Sequence, residues 1–346
     1  MAEFISFQPK DYYSTILYTG NATADRQITA GFQPDMAWAK SRTNTENHAL
    51  FDSVRGGYRI MPDQDNAQDA NTGVTAWNST GYEIGSTDSF NSNSQDFVNF
   101  AWKMGTTSGL TGGTITPSGY SISTTAGQSI IAYTGTGSAG TIPHGLGKIP
   151  QAILVKETSH ATNWAVYHNY LGNTTFLKLN TNDASASTSN WDSTSPTSSL
   201  FSIGAGGQVN TSGRTYVAYC FANISGYSKI SWYKGNGNAD GSFIYTGFRP
   251  AYFLTKAENG VNEPWLVWNN KTEGFNAGAS ATLGNHRLTV SANSVESDTS
   301  DIEFLSNGIK ITNTSGHVNG SSYNYPYLAF AESPIVSSND IPGLAR

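Results

Sequence analysis

Three stretches of the sequence carry residue types that could do chemistry. Gly135–Gly140 reads GTGSAG, the G-x-G-x-x-G spacing that lets a backbone wrap a pyrophosphate. That chemistry needs a helix to begin at the last glycine, so that its N-terminus meets the phosphates. Here TIPHGLGKIP follows, with Pro143 and Pro150, so a glycine turn is expected instead. Asp63, Asp65 and Asp69 gather in PDQDNAQD, like part of a calcium loop. An EF-hand needs Gly at its sixth position and Glu at its twelfth. Gln68 and Val74 stand there, so a solvated acidic turn is expected. The histidines His48, His144, His160, His168, His286 and His317 show neither H-x-H nor H-x-x-x-H spacing, and so no zinc pattern. No G-x-S-x-G elbow occurs. The single cysteine, Cys220, sits inside the strand-like YVAYCF and is expected to be a small buried apolar residue. No catalytic, cofactor-binding or metal residue is assigned on these grounds, no cofactor is expected, and the expectation is a protein that is not an enzyme.

The elements that would have to position such residues come in three copies. A tyrosine opens each copy at Tyr18, Tyr133 and Tyr233, and a proline follows 16 or 17 residues later at Pro34, Pro150 and Pro250. Six residues past each proline stands a lysine: Lys40, Lys156, Lys256. Aromatic-rich stretches begin at His48, Trp164 and Trp265, and apolar runs close the copies at Phe97–Trp102, Tyr216–Phe221 and Tyr325–Phe330. A spacing near a hundred residues is domain-sized and too long for a solenoid. The stretch after each proline reads as a strand; QAILVK and AYFLTK are apolar enough to be buried on both faces. Each lysine is expected to lay its stem on the core rim and send its ammonium to solvent or a carbonyl. His48 aligns with two tryptophans and is expected to be a packed ring.

Composition agrees with this plan. Only 13% of the 346 residues are charged, 12% are aromatic and 36 are glycine, which favours packed strands and tight turns over helices or disorder. A net charge of −6 argues against a nucleic-acid partner. No apolar run is long enough for a membrane span, MAEFISFQPK lacks a leader-like apolar region, and one cysteine allows no internal disulfide. The expected fold is all-β: three tandem β-sandwich, jelly-roll-like repeat units packed together. Their bounds are an N-terminal docking arm at 1–15, units at 16–105, 131–226 and 227–333, a linker or extra strands at 106–130, and a C-terminal docking tail at 334–346. The competing plan is one closed domain with internal three-fold pseudo-symmetry. The arm and tail are turn-rich and are expected to dock on neighbouring chains. Features shared by all copies are scaffold, so specificity is expected where they differ: the loops 53–76, 180–199 and Lys271–Arg287, with Trp77, Trp191 and Phe275 among polar residues suited to a sugar.

The ordered blocks LYTGN…GFQPD…NHALFDSVRG, YTGTG…HGLG…NWAVYHNYLGN and GFRP…FLSNGIKI…YLAFAESP resemble a family of virion structural proteins of tailed bacteriophages, known from phages of marine bacteria and cyanobacteria. FQPKDYYSTILYTGN at the start and IPGLAR at the end extend the likeness over nearly the whole chain. The resemblance implies a non-enzymatic virion component, described as tail-fibre-like, that touches the host surface, a glycan being the partner expected there. Other virion proteins are implied partners, and a homotrimer is the expected oligomer. The alternatives are a capsid decoration or head-fibre protein and a polysaccharide depolymerase.

Overall fold

The computed structural model describes residues 7–71, 73–260, 262–272, 285–299 and 301–332. Each landmark proline leads into a strand at the middle of a sheet. In the first unit this proline strand is Met36–Ser41, in the second Pro150–Glu157, in the third Tyr252–Thr255. On one side it pairs with a ring strand: Ala49–Asp52, Ala165–His168 or Leu266–Asn269. On the other it pairs with the closing strand: Asp96–Trp102, Thr215–Ala222 or Asn324–Phe330. The closing strand then pairs with the opening strand: Tyr13–Thr19, Gln128–Thr134 or Ser228–Lys234. All these pairings are antiparallel, and the order opening–closing–proline–ring repeats three times. The second sheet gains Gly119–Ser123 beside its opening strand; the third gains Asn285–Thr289 and Ser297–Thr299 beyond its ring strand. The stretch 106–130 thus supplies one extra strand as well as a crossing.

A small sheet covers one face of each large one, which makes the unit a sandwich. Its strands are Arg26–Thr29, Gly81–Ile84 and Val74–Asn78 in the first unit. They are Gly140–Pro143 and Leu200–Ile203 in the second, and Phe243–Tyr245, Gly308–Ile311 and Ile302–Leu305 in the third. Side chains alternate across the large sheets. Ala37 and Phe51, Ile153 and Tyr167, and Phe253 and Trp268 face their own small sheets and form three separate cores. Trp38, Leu154 and Leu254 point the other way, with Leu50, Val166 and Val267 and with Trp102, Phe221 and Phe330, into one core shared by all units. Burial on both faces explains the uninterrupted apolar run of QAILVK. A cavity of about 20 Å³ remains in the shared core, lined by Trp38, Leu154, Leu254 and other apolar residues of all three units. A void of that size and lining stays dry.

The protein is therefore three tandem sandwiches packed together, and their contacts close into a three-fold ring. From Phe7 onward the arm packs within the chain: Phe7 stands edge-on to Tyr12 and Tyr227 at 4.8 and 5.4 Å. Residues 1–6 and the tail at 334–346 lie outside the described residues.

Candidate binding surface

The glycine-rich starts of the copies are turns, as their sequence context requires. Each turn is held by a buried asparagine on a one-turn helix, Asp88–Asn91, Gly207–Asn210 or Gly316–Asn319. Asn210 Oδ1 accepts from Thr136 N at 2.7 Å, and its Nδ2 donates to the carbonyls of Ser138 and Gly204 at 2.7 and 2.9 Å. Asn91 makes the same bracket with Asn21, Thr23 and Gly85, and Asn319 with Asn236, Asn238 and Asn313. The turn must lie hard against the helix end. A Cβ on Gly135 would come within 2.3 Å of the Thr211 carbonyl oxygen, and one on Gly20 within 2.0 Å of that of Ser92. The tyrosine before each glycine completes the lock: Tyr18, Tyr133 and Tyr233 each donate to a helix carbonyl at 2.7–2.8 Å. GTGSAG is one of these turns, and a strand, not a helix, follows it.

The repeated lysines are buried completely, against the expectation of a rim position. Their ammonium groups meet carbonyls only. Lys40 donates to Ser41 and Asn44 at 2.6 and 3.2 Å. Lys156 donates to Glu157 at 2.7 Å and reaches across to Asp65 of the first unit at 3.2 Å. Lys256 donates to Glu263 and reaches Thr181 of the second unit at 3.4 Å. Burial lowers all three to about 8.

The aligned rings work beside them as ring-to-neighbour ties. Trp164 Nε1 donates to Met61 of the first unit at 3.0 Å, and Trp265 Nε1 to Lys178 of the second at 2.8 Å. His48 takes that role toward the third unit: its Nδ1 accepts from the Trp38 indole at 3.0 Å, and its Nε2 lies 3.0 Å from the Thr289 carbonyl. The tryptophan donor fixes the proton on Nε2. Burial, helped by the Lys40 charge, lowers the imidazole to about 3, so it stays neutral.

The other sequence candidates are structural. Asp63 is buried and accepts from His48 N at 3.1 Å, Asp65 offers its carbonyl to Lys156, and Asp69 pairs with Arg59 at 2.5 Å. The three residues thus serve separate partners, and the first is not solvated. Among the described residues no group of three His, Cys, Asp or Glu could hold a metal ion. His144 and His168 are buried, each next to a backbone carbonyl. His160, His286 and His317 stand beside Glu157, Glu296 and Glu263. Cys220 is buried, and burial pushes its thiol up to about 12.

Two of the loops that differ between units are straps. Gln68 N donates to the Thr158 carbonyl at 2.9 Å, Ser185 N to that of Glu258 at 2.6 Å, and Glu296 N, past the third variable loop, to that of Arg42 at 2.9 Å. The three acceptors stand two residues past the three lysines, so one interaction recurs around the ring. Trp191 is buried, donating to Thr175 at 3.3 Å, and is not available to a ligand. Trp77 is half-buried against Tyr82. Phe275 and residues 273–284 of the third loop lie outside the described residues.

Exposed aromatic rings lie elsewhere: Tyr58 stands alone in the first unit, and the others gather on and beside the third. Phe243 and Tyr245, on the edge strand of its small sheet, are 48% and 65% exposed. Trp232 stacks on Tyr170 of the second unit at 4.5 Å where those units meet. Sequence reasoning missed all four, although a signal existed: the matching small-sheet positions hold Gln27 and Thr29 in the first unit and Thr141 and Pro143 in the second. A family model described as a domain of unknown function, DUF7483, matches residues 8–334. No curated protein matches the chain.

Proposed function

We propose that the chain, which belongs to the DUF7483 family, is a non-enzymatic structural protein of a tailed-bacteriophage particle, a tail-fibre or tail-tip component that contacts the host surface. The observation that carries the reading is a contrast within the molecule. Its polar repeat residues are spent on turns and junctions, while large aromatic rings stand in solvent, most of them on the third unit. Exposed apolar clusters on a well-packed protein mark contact sites. A ring built without disulfides and with few charges also suits a particle that must survive outside a cell.

A head-decoration role is the second reading, favoured by the three-fold order of a single chain, which matches a three-fold position on a capsid. The homotrimer belongs to the first reading. Sedimentation that returns one chain would leave the internal ring as the only three-fold. Immunogold labelling of intact particles with antibody to the purified protein separates the readings. Gold on the tail supports host contact, gold on the head supports decoration, and particles without gold overturn both. Release of reducing sugar from host polysaccharide would replace them with a depolymerase.

A further inference from the structure

We infer that Phe243 and Tyr245 form a stacking site for a neutral saccharide on the outer face of the third unit's small sheet. The inference deepens the host-contact reading and rests on it. Both residues lie on Phe243–Tyr245 with Ile244 between them, so their rings share the face that points away from the buried core. Their separation along the strand, roughly 6.6 Å, lets two neighbouring sugar rings be held at once.

What lies beneath the rings sets their posture. The Phe243 ring leans diagonally over Gly308, the residue paired with Tyr245 across the sheet: a Cβ there would come within 2.9 Å of the ring. Tyr245 faces Gly247, whose φ of +84° keeps that position a glycine, and a Cβ there would lie 3.7 Å from the phenol oxygen. Rings laid on glycine backbone keep one broad face toward water. The negative π-face attracts the electron-poor C–H edges of a pyranose, while the Tyr245 hydroxyl remains free for a sugar hydroxyl.

The rim supplies polar atoms and a slight excess of negative charge. Lys310, paired in register with Phe243, makes an ion pair with Asp240 at 2.5 Å. Glu303 lies on the next strand, opposite Lys310. A rim with one carboxylate in excess, on a chain of net charge −6, disfavours acidic polysaccharide, which selects a neutral one. The first two units lack the aromatic pair, so one site per chain is expected.

The test is saturation-transfer NMR on the full chain with maltohexaose and cellohexaose at millimolar concentration, with dextran sulfate as the charged control. Binding of at least one hexaose is expected, with transfer strongest at sugar C–H protons. F243A/Y245A should melt with the wild type, because both side chains are exposed, yet bind about tenfold more weakly. W232A, remote on the second exposed stack, should bind as the wild type does. The inference is overturned if neither hexaose binds, if F243A/Y245A binds unchanged, or if dextran sulfate is preferred. Gold on the head together with hexaose binding would sink the tail reading and leave the site standing. Gold on the tail without hexaose binding would do the reverse.

Discussion

The junction between the first and third units and the two junctions between consecutive units are built on one plan with different chemistry. At the consecutive junctions a tryptophan donates to the neighbour and a lysine reaches across to a second carbonyl. At the closing junction a histidine replaces the tryptophan, and Lys40 stays within its own unit. An ion pair is added instead: Arg42 meets Glu296 at 2.7 Å, with the carboxylate 6% exposed. The consecutive junctions are backed by the chain, which keeps their partners at high effective concentration. The closing junction has no such tether between its own partners. The difference teaches that large buried indoles serve both tethered contacts, while the untethered one pairs a smaller ring with an added ion pair that fixes its register.

The largest predicted effect tests the apolar half of that contrast. W164A removes a fully buried indole and one of the two donors to the Met61 carbonyl, so a loss of about 3–5 kcal/mol is expected from urea unfolding. W265A should cost the same, and H48A clearly less, since it deletes a smaller ring. Equal losses at the three positions would erase the distinction between the junctions.

The next effect tests the charged half. R42M removes the guanidinium from the Glu296 carboxylate and leaves His286 at 3.6 Å, and a loss of about 2–3 kcal/mol is expected, below the fully buried limit because Arg42 keeps some exposure. R42M/E296M should regain most of it. A double variant as weak as R42M would show that packing, not pairing, holds the closing junction.

A third prediction follows the closing junction through its pH dependence. The His48 imidazole is lowered to about 3 when folded, whereas an unfolded histidine protonates near 6.5. Between these values the unfolded state binds the extra proton, so stability falls as pH drops from about 6.5 toward 3. His168, lowered to about 4, adds to the same loss, while Asp63, raised to about 6, opposes it between roughly 4 and 6. H48Q keeps an acceptor for Trp38 and a donor for Thr289 but cannot be protonated. Its acid-unfolding midpoint should fall by roughly half a pH unit, at a cost below about 2 kcal/mol near neutrality. An unchanged midpoint would place the acid sensitivity elsewhere.

Much of this architecture was legible because its landmarks are rare residue types in fixed order. The proline, lysine and ring positions mark strands whose burial on both faces is written in QAILVK and AYFLTK. Ring closure was not legible, because it depends on partners such as His48 and Thr289 that no local pattern links. The buried brackets were hidden by composition. Asn91, Asn210 and Asn319 each stand six residues before the closing run, but in loops so rich in Asn, Ser and Thr that the spacing does not stand out. Trp191 misled for the converse reason: a polar loop advertises exposure, yet a tryptophan with a carbonyl for its N–H is more stable inside.

The smallest prediction uses the repeats as their own control. In the bracketed turn the residue two past the lock glycine adopts a left-handed conformation in every unit. It is Gly137 at φ +76° and Gly237 at φ +68°, but Ala22 at φ +53° in the first unit. A Cβ in that region costs roughly 1–2 kcal/mol. Glycine also gains freedom in the unfolded chain, which offsets about 0.4–1 kcal/mol of the relief. A22G should therefore stabilise the protein by about 0.5 kcal/mol, read as a small rise in the urea midpoint with the slope unchanged. The reverse exchange, G137A, should destabilise by more, because its Cβ would also press on Ser212 at 3.2 Å. If A22G destabilises instead, the first unit's turn is held by its alanine, and the three brackets are alike in hydrogen bonds but not in backbone strain.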